Sequence, residues 1–250
     1  MRKLVTAVLL YAFLWPGAHA DKPGDTSTPP TLVVGLIDFP PLSSYDADGQ
    51  AEGTLVPLMQ AVAREAGYQT EFRIMPLARL VQSMQEGSVH VWPGIPGRLD
   101  LNAHSVTGTQ PLGQLRINLY HRPDTPTPRW PESLFDQDLI VLTGYDYGAQ
   151  LSADLSNSRL RLQRTHHHSA AIGMLLRGRA NYLLNYQAPM DDALLQRPDV
   201  QLRHLPLVRL PLLLVVSTTA RPGGEGLLQD LEQAYIELHE RNLLPALKSP

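Results

Sequence analysis

The chain has 250 residues, 43% of them hydrophobic and 18% charged, with a formal net charge of −3 and no cysteine. A hydrophobic share of that size can fill a core, which excludes a disordered chain. The lack of a basic surplus argues against nucleic acid as a partner. Without cysteine there is neither a disulfide framework nor thiol catalysis.

The N-terminus reads "MRKLVTAVLLYAFLWPGAHA". Arg2 and Lys3 form a positive head, Leu4 to Leu14 an apolar run, and "AHA" at 18–20 a small-x-small cleavage pattern. Together they predict a cleavable secretory signal peptide over 1–20, and hence a periplasmic protein. The apolar run is short for a spanning helix and Pro16 breaks it. "DKPGDTSTPP" (21–30) is polar and proline-rich, and is expected to be a disordered lead-in.

"TLVVGLI" (31–37) reads as a buried strand that "DFPP" stops, and "DG" at 48–49 marks a hairpin-like turn. Over 54–67 the apolar residues fall at 55, 58, 59, 62 and 63, the spacing of one helix face, with Gly67 placed to end it. "QTEFRIM" (69–75) alternates like a strand, "LARLVQSMQEG" (77–87) is a short helix, and "SVHVWPG" (88–94) a strand. This β-α-β-α-β order predicts a parallel sheet flanked by helices.

Further along, strands are expected at 115–121, 138–144, 158–165, 180–186, 200–207 and 211–218, the last two separated by prolines. Helices are expected from Tyr145, over 169–179, over 188–196 and, long and amphipathic, over 226–247. The fold class is therefore α/β, with a second β/α unit in the middle of the chain.

Four strands run into unusual residues: "DFPPL", "WPGIPGR", "TGYDYG" and "LLNYQAP". The carboxyl ends of parallel strands face a ligand crevice. Aromatic rings with a few fixed donors suit a small polar ligand held there. The candidate ligand-binding residues are Phe39, Trp92, Arg98, Tyr145, Asp146, Tyr147, Asn185 and Tyr186.

Each has a plainer reading beside it. Arg98 could sit in a surface salt bridge. Trp92 could be core at a strand end, and Asp146 could cap a helix start. Three consecutive histidines in "THHHSAA" (165–171) cannot converge on one ion from a strand whose neighbours alternate sides. They are expected to be solvent-facing or at a cleft rim, with no metal and no other cofactor bound. Nor is there a nucleophile elbow or a glutamate in the four loops, where the acids are Asp38, Asp100 and Asp146. No catalytic residue is assigned, and the chain is expected not to be an enzyme.

The order of these pieces resembles the family 3 extracellular solute-binding proteins of bacterial ABC-type amino-acid uptake systems. The resemblance is carried by "TLVVGLIDFPPLSSYDADGQAEG", "LMQAVAREAGYQTEF", "ARLVQSMQEGSVHVWPGIPGR", "IVLTGYDYGAQL" and "MLLRGRANYLLNY". It implies a two-lobe type II periplasmic-binding fold with a hinge and an interlobe cleft: lobe 1 from residues 31–110 plus 213–250, lobe 2 from 111–212. It implies a monomer that captures a small solute and meets an inner-membrane permease or sensor protein.

By position, the family's carboxylate-pairing arginine falls on Arg98 and its stacking ring on Phe39. The hydroxyl at the second-lobe helix start falls on Asp146, and the acid that takes an amino group falls on Tyr186, beside Asn185. The serine- and threonine-rich loop before the arginine is here "PGIPG". Arg98 thus keeps the family's residue type while its expected companions change.

Overall fold

The protein is described by a computed structural model over residues 28–247; the expected signal peptide lies outside the described residues. Strand β1 (Thr31–Leu36) is followed by a small hairpin, β2 (Ser44–Tyr45) and β3 (Ala51–Glu52), then α1 (Leu55–Glu65), β4 (Gln69–Ile74), α2 (Leu77–Glu86) and β5 (Val91–Gly94). The chain continues through β6 (Ser105–Thr107), β7 (Gly113–His121), β8 (Asp138–Leu142), α3 (Gly148–Leu155), β9 (Arg161–Thr165) and α4 (His168–Leu176). It closes with β10 (Tyr182–Tyr186), α5 (Gln187–Leu195), β11 (Arg203–Ser217) and α6 (Gly224–Glu240).

One curled sheet runs β4-β1-β5-β11-β7-β10-β8-β9, with β6 also beside β11. It has two parallel patches. β1 pairs in parallel with β4 and β5, and β8 pairs in parallel with β10 and β9. The antiparallel strands β11 and β7 join them.

Each patch is covered on both faces, as parallel strands require. In the first, Leu32, Val34 and Leu36 of β1 share a core with Leu58, Met59 and Val62 of α1 and Leu227 and Leu231 of α6. On the other face Val33 packs with Leu80, Met84 and Trp92. The second patch uses Ile140, Leu142 and Leu183 against Ala171, Ile172 and Leu175 of α4. The apolar stripe read along α1 is buried as its spacing implies, and Gly67 leaves the helix at φ 85°, a conformation that favours glycine.

Two expectations change. The strands expected at 200–207 and 211–218 form one strand, β11. Pro206 and Pro211 are tolerated because over Arg203–Leu212 β11 pairs with β7 on one side only. An edge stretch of this kind is where a strand accommodates proline, and the register slips at a bulge between Pro206 and Val208. The second change is β6, a short strand beside β11 that periodicity does not show. Among the described residues no helix is long and apolar enough to cross a membrane.

Candidate functional site

The parallel strands of the two patches point their carboxyl ends at one another. β1 delivers Ile37, Asp38 and Phe39; β5 delivers Trp92 and the "PGIPGR" turn; β8 leads to Tyr145 and Asp146; β10 ends at Tyr186. These residues enclose a cavity of about 40 Å³, lined chiefly by Leu36, Phe39, Trp92, Gly94, Ile95, Leu115, Tyr145, Asp146, Tyr186 and Leu212. One water needs roughly 10–15 Å³ measured this way. The cavity therefore holds a few waters at most, and a solute enters only if the two halves part.

Phe39 sits at the centre of the contact. Its ring meets Tyr186 edge-on with centroids 4.9 Å apart, and Tyr145 edge-on at 5.4 Å. Such pairs add about 0.5–1.5 kcal/mol beyond buried area. Trp92 is buried in the core under α2 and also lines the cavity. Its ring lies over Gly94, where any Cβ would collide with the indole. The glycine after Pro93 is thus required by the tryptophan before it.

Arg98 spans the two halves. Its Nε and Nη2 donate to Oδ1 and Oδ2 of Asp100 at 3.0 and 2.6 Å, a bidentate pair. Its Nη1 donates to Oδ2 of Asp146 at 2.9 Å. The Arg98 and Asp146 side chains are only 21% and 17% exposed, so solvent screens this pair less than a surface bridge. Burial alone would lower the guanidinium pKa; the bonds and charges of Asp100 and then Asp146 outweigh it and raise it. Asp146 meanwhile accepts the Gly148 N–H with Oδ1 at 2.8 Å, so it does also cap the turn into α3.

A second link crosses between the halves. The Asn185 Oδ1 accepts the Tyr186 N–H, which leaves its Nδ2 to donate to Nδ1 of His168 at 2.9 Å. Nε2 of His168 then carries the proton and donates to the Tyr145 oxygen at 2.8 Å. Tyr145 in turn donates to the backbone carbonyl of Asp38 at 3.0 Å. Burial pushes the His168 pKa down to about 4, and the neighbouring His167 adds to it. The imidazole is therefore neutral at pH 7. The tyrosine hydroxyls are held protonated, since burial raises the pKa of both Tyr145 and Tyr186. Tyr186 donates to the Asp146 carbonyl.

Six of the eight candidate residues meet at the cleft. Phe39, Trp92, Tyr145, Asp146 and Tyr186 line the inner cavity, and Arg98 ties its two sides. Two do not reach it. Tyr147 is buried behind Tyr186, its ring stacked at 5.9 Å and its hydroxyl oxygen taking the Leu142 N–H at 2.9 Å. Asn185 is fully buried and acts through His168. Each adjoins a cleft residue, Tyr147 directly after Asp146 and Asn185 directly before Tyr186, yet both are buried in the interior.

From the sequence the three histidines are expected to face solvent or rim the cleft; His168, at the start of α4, is instead partly buried and bonded to Asn185 and Tyr145. His166 and His167 are exposed, as expected for a cleft rim. Outside the Tyr145–Asp38 contact lies a wider groove of about 570 Å³ between the β4–α2 loop and the ends of β1, β8 and β9.

The sequence profile of the bacterial extracellular solute-binding proteins, family 3, matches residues 32–248. A comparison with curated protein sequences returns no match. Among solved structures, the chain is similar to an ancestral arginine-binding protein bound to arginine, at TM-score 0.72 and 18% identity over 87% of this chain and 96% of that one. It is similar to the holo arginine-binding protein of T. maritima, at 0.66 and 22% over 84% and 90%. It is also similar to the GluR0 ligand-binding core in complex with L-glutamate, at 0.69 and 18% over 85% and 94%. At such identities the likeness speaks for the two-lobe fold.

Proposed function

The chain belongs to the bacterial extracellular solute-binding proteins, family 3, and we propose that it captures a small, amino-acid-like or related solute between two lobes and presents the closed form to an inner-membrane partner. Lobe 1 comprises 31–110 and 213–250, and lobe 2 comprises 111–212, with the two crossings near 109–112 and 208–213 as the connecting hinge. The observation that carries this reading is the convergence of four strand-end loops, two from each parallel patch, on one cleft. Phe39, Trp92, Tyr145, Asp146 and Tyr186 supply its walls, and Arg98 fastens it. In this reading the protein is exported to the periplasm, works as a monomer and performs no chemistry on its solute.

Partner delivery takes one of two forms. A permease would receive the solute. A membrane signalling protein would instead read the closed shape. The second form gains from a specific feature: Arg98–Asp146 and Tyr145–Asp38 tie the lobes together with the chain's own groups.

Thermal-shift screening of the mature protein tests the reading, with a library of amino acids, amines, small carboxylates and short peptides. A ligand at a hundred times its Kd adds about 2.7 kcal/mol of stability. At least one class should raise the melting temperature. A flat response across the whole library would overturn the solute-binding reading.

A further inference from the structure

The charge requirements of the cleft point to a ligand class, on the premise that the solute-binding reading holds. A carboxylate solute would need the Arg98 fork. Three of its N–H groups are already spent on Asp100 and Asp146, both within the chain. An arriving carboxylate would find only two of the five N–H groups unspent, outside the bidentate face taken by Asp100, and would meet two negative side chains. The inner cavity, about 40 Å³ and walled by leucines and aromatic rings, offers it no other cation.

The outer groove has the opposite character. Its volume of about 570 Å³ lies in the range of roughly 300–1,000 Å³ typical of small-molecule sites. Ile37, Ile74, Met75 and Leu77 make an apolar wall, and the rings of Tyr45 and Tyr145 also face it. Tyr45 is fixed there by donating its hydroxyl to the Ile74 carbonyl, although its ring is half exposed.

No lysine or arginine lines this groove; its polar side chains include the Asp38 carboxylate and, on the opposite wall, the His166 imidazole. Among the described residues no hydrogen bond or ion pair engages the Asp38 carboxylate, since the contact from Tyr145 goes to the backbone oxygen. The residue is open to solvent on one side. Even so, burial against the groove raises its pKa, and His167 acts the other way. A carboxylate beside aromatic faces in an apolar groove is the arrangement that holds an organic cation, by ion pairing and cation–π contact together.

We propose that the outer groove is the compartment that holds the solute, and that it takes an organic amine: a cationic nitrogen set on Asp38, an apolar or aromatic body against Ile37, Met75 and Leu77, and no carboxylate.

Three probes of one shape separate the charges: 2-phenylethylamine carries only the amine, L-phenylalanine carries both groups and 3-phenylpropionate only the carboxylate. Calorimetric titration of the mature protein should give the tightest binding for the amine and none for 3-phenylpropionate. Asp38→Asn should weaken the amine about tenfold or more, the scale of a lost charge-assisted bond. Thr143→Arg, a surface change on the opposite wall, should do the same by placing a cation in the groove.

Binding of 3-phenylpropionate in preference to the amine, or amine binding that both variants leave unchanged, overturns the amine assignment and leaves the solute-binding reading standing. No binding of any of the three also overturns the assignment. The broader reading falls only if the full library is silent too.

Discussion

His168 holds the most consequential proton in the molecule. Its Nδ1 accepts from Asn185 and its Nε2 donates to Tyr145, so the chain to the Asp38 carbonyl requires a neutral ring. Protonation would force Nδ1 to donate against the Asn185 amide. With a folded pKa near 4 and an unfolded one near 6.5, the unfolded chain binds the proton first. Stability therefore falls as pH drops from about 6.5 towards 4, by up to about 3 kcal/mol from this group. Asp38, with a raised pKa, has the opposite sign: its contribution is present below its unfolded pKa and lost as pH rises through the folded one.

Urea unfolding at pH 7, 5.5 and 4.5 should show the decline, and His168→Gln should flatten it. An unchanged slope in that variant would place the titration elsewhere. Much at this scale is legible in sequence, because Phe39, Trp92 and Tyr145 declare themselves by standing at strand ends. What Arg98 touches is not, because Asp146 lies 48 residues away and only the fold brings the two together. The arginine stood out in the sequence; its engagement by Asp100 and, across the fold, by Asp146 did not.

Among the elements, β11 departs most from its sequence signal. Prolines at 206 and 211 read as breaks, and they would be in a central strand. The one-sided pairing with β7 over that stretch removes the objection. By contrast, the β-α-β-α-β start was readable because each helix buries one regular stripe, β1 is apolar over most of its length and β4 alternates.

The same β7–β11 ribbon carries a local conflict: Arg116 and Arg209 stand directly opposite each other in the register, and both are exposed. Like charges so placed destabilise a strand pair. Arg116→Glu should therefore raise stability by about 0.2–1 kcal/mol through an opposite-charge pair, with the gain shrinking in high salt. Thermal melts at low and high ionic strength read this directly. A loss of stability at low salt would show that the arginine pair answers some other need of the β7–β11 ribbon.

At the scale of the whole molecule, the proposed opening and closing of the lobes would turn on few contacts. The Phe39 ring against Tyr145 and Tyr186 closes the interior, and Arg98–Asp146 fastens it at its edge. Asp146→Asn separates the two duties of that side chain. The amide oxygen can still accept the Gly148 N–H, so the turn into α3 survives, while the charge facing Arg98 is gone. A charged hydrogen bond at this depth is worth about 1.5–3 kcal/mol, enough to move a two-state equilibrium about tenfold or more. Small-angle scattering of Asp146→Asn should show a larger radius of gyration than the parent, with an unchanged circular dichroism spectrum. A saturating ligand should restore the compact form, because it adds differential contacts to the closed state alone. If the variant scatters like the parent, the aromatic contact is sufficient to hold the lobes, and the Arg98–Asp146 bridge is a consequence of closure, not its cause.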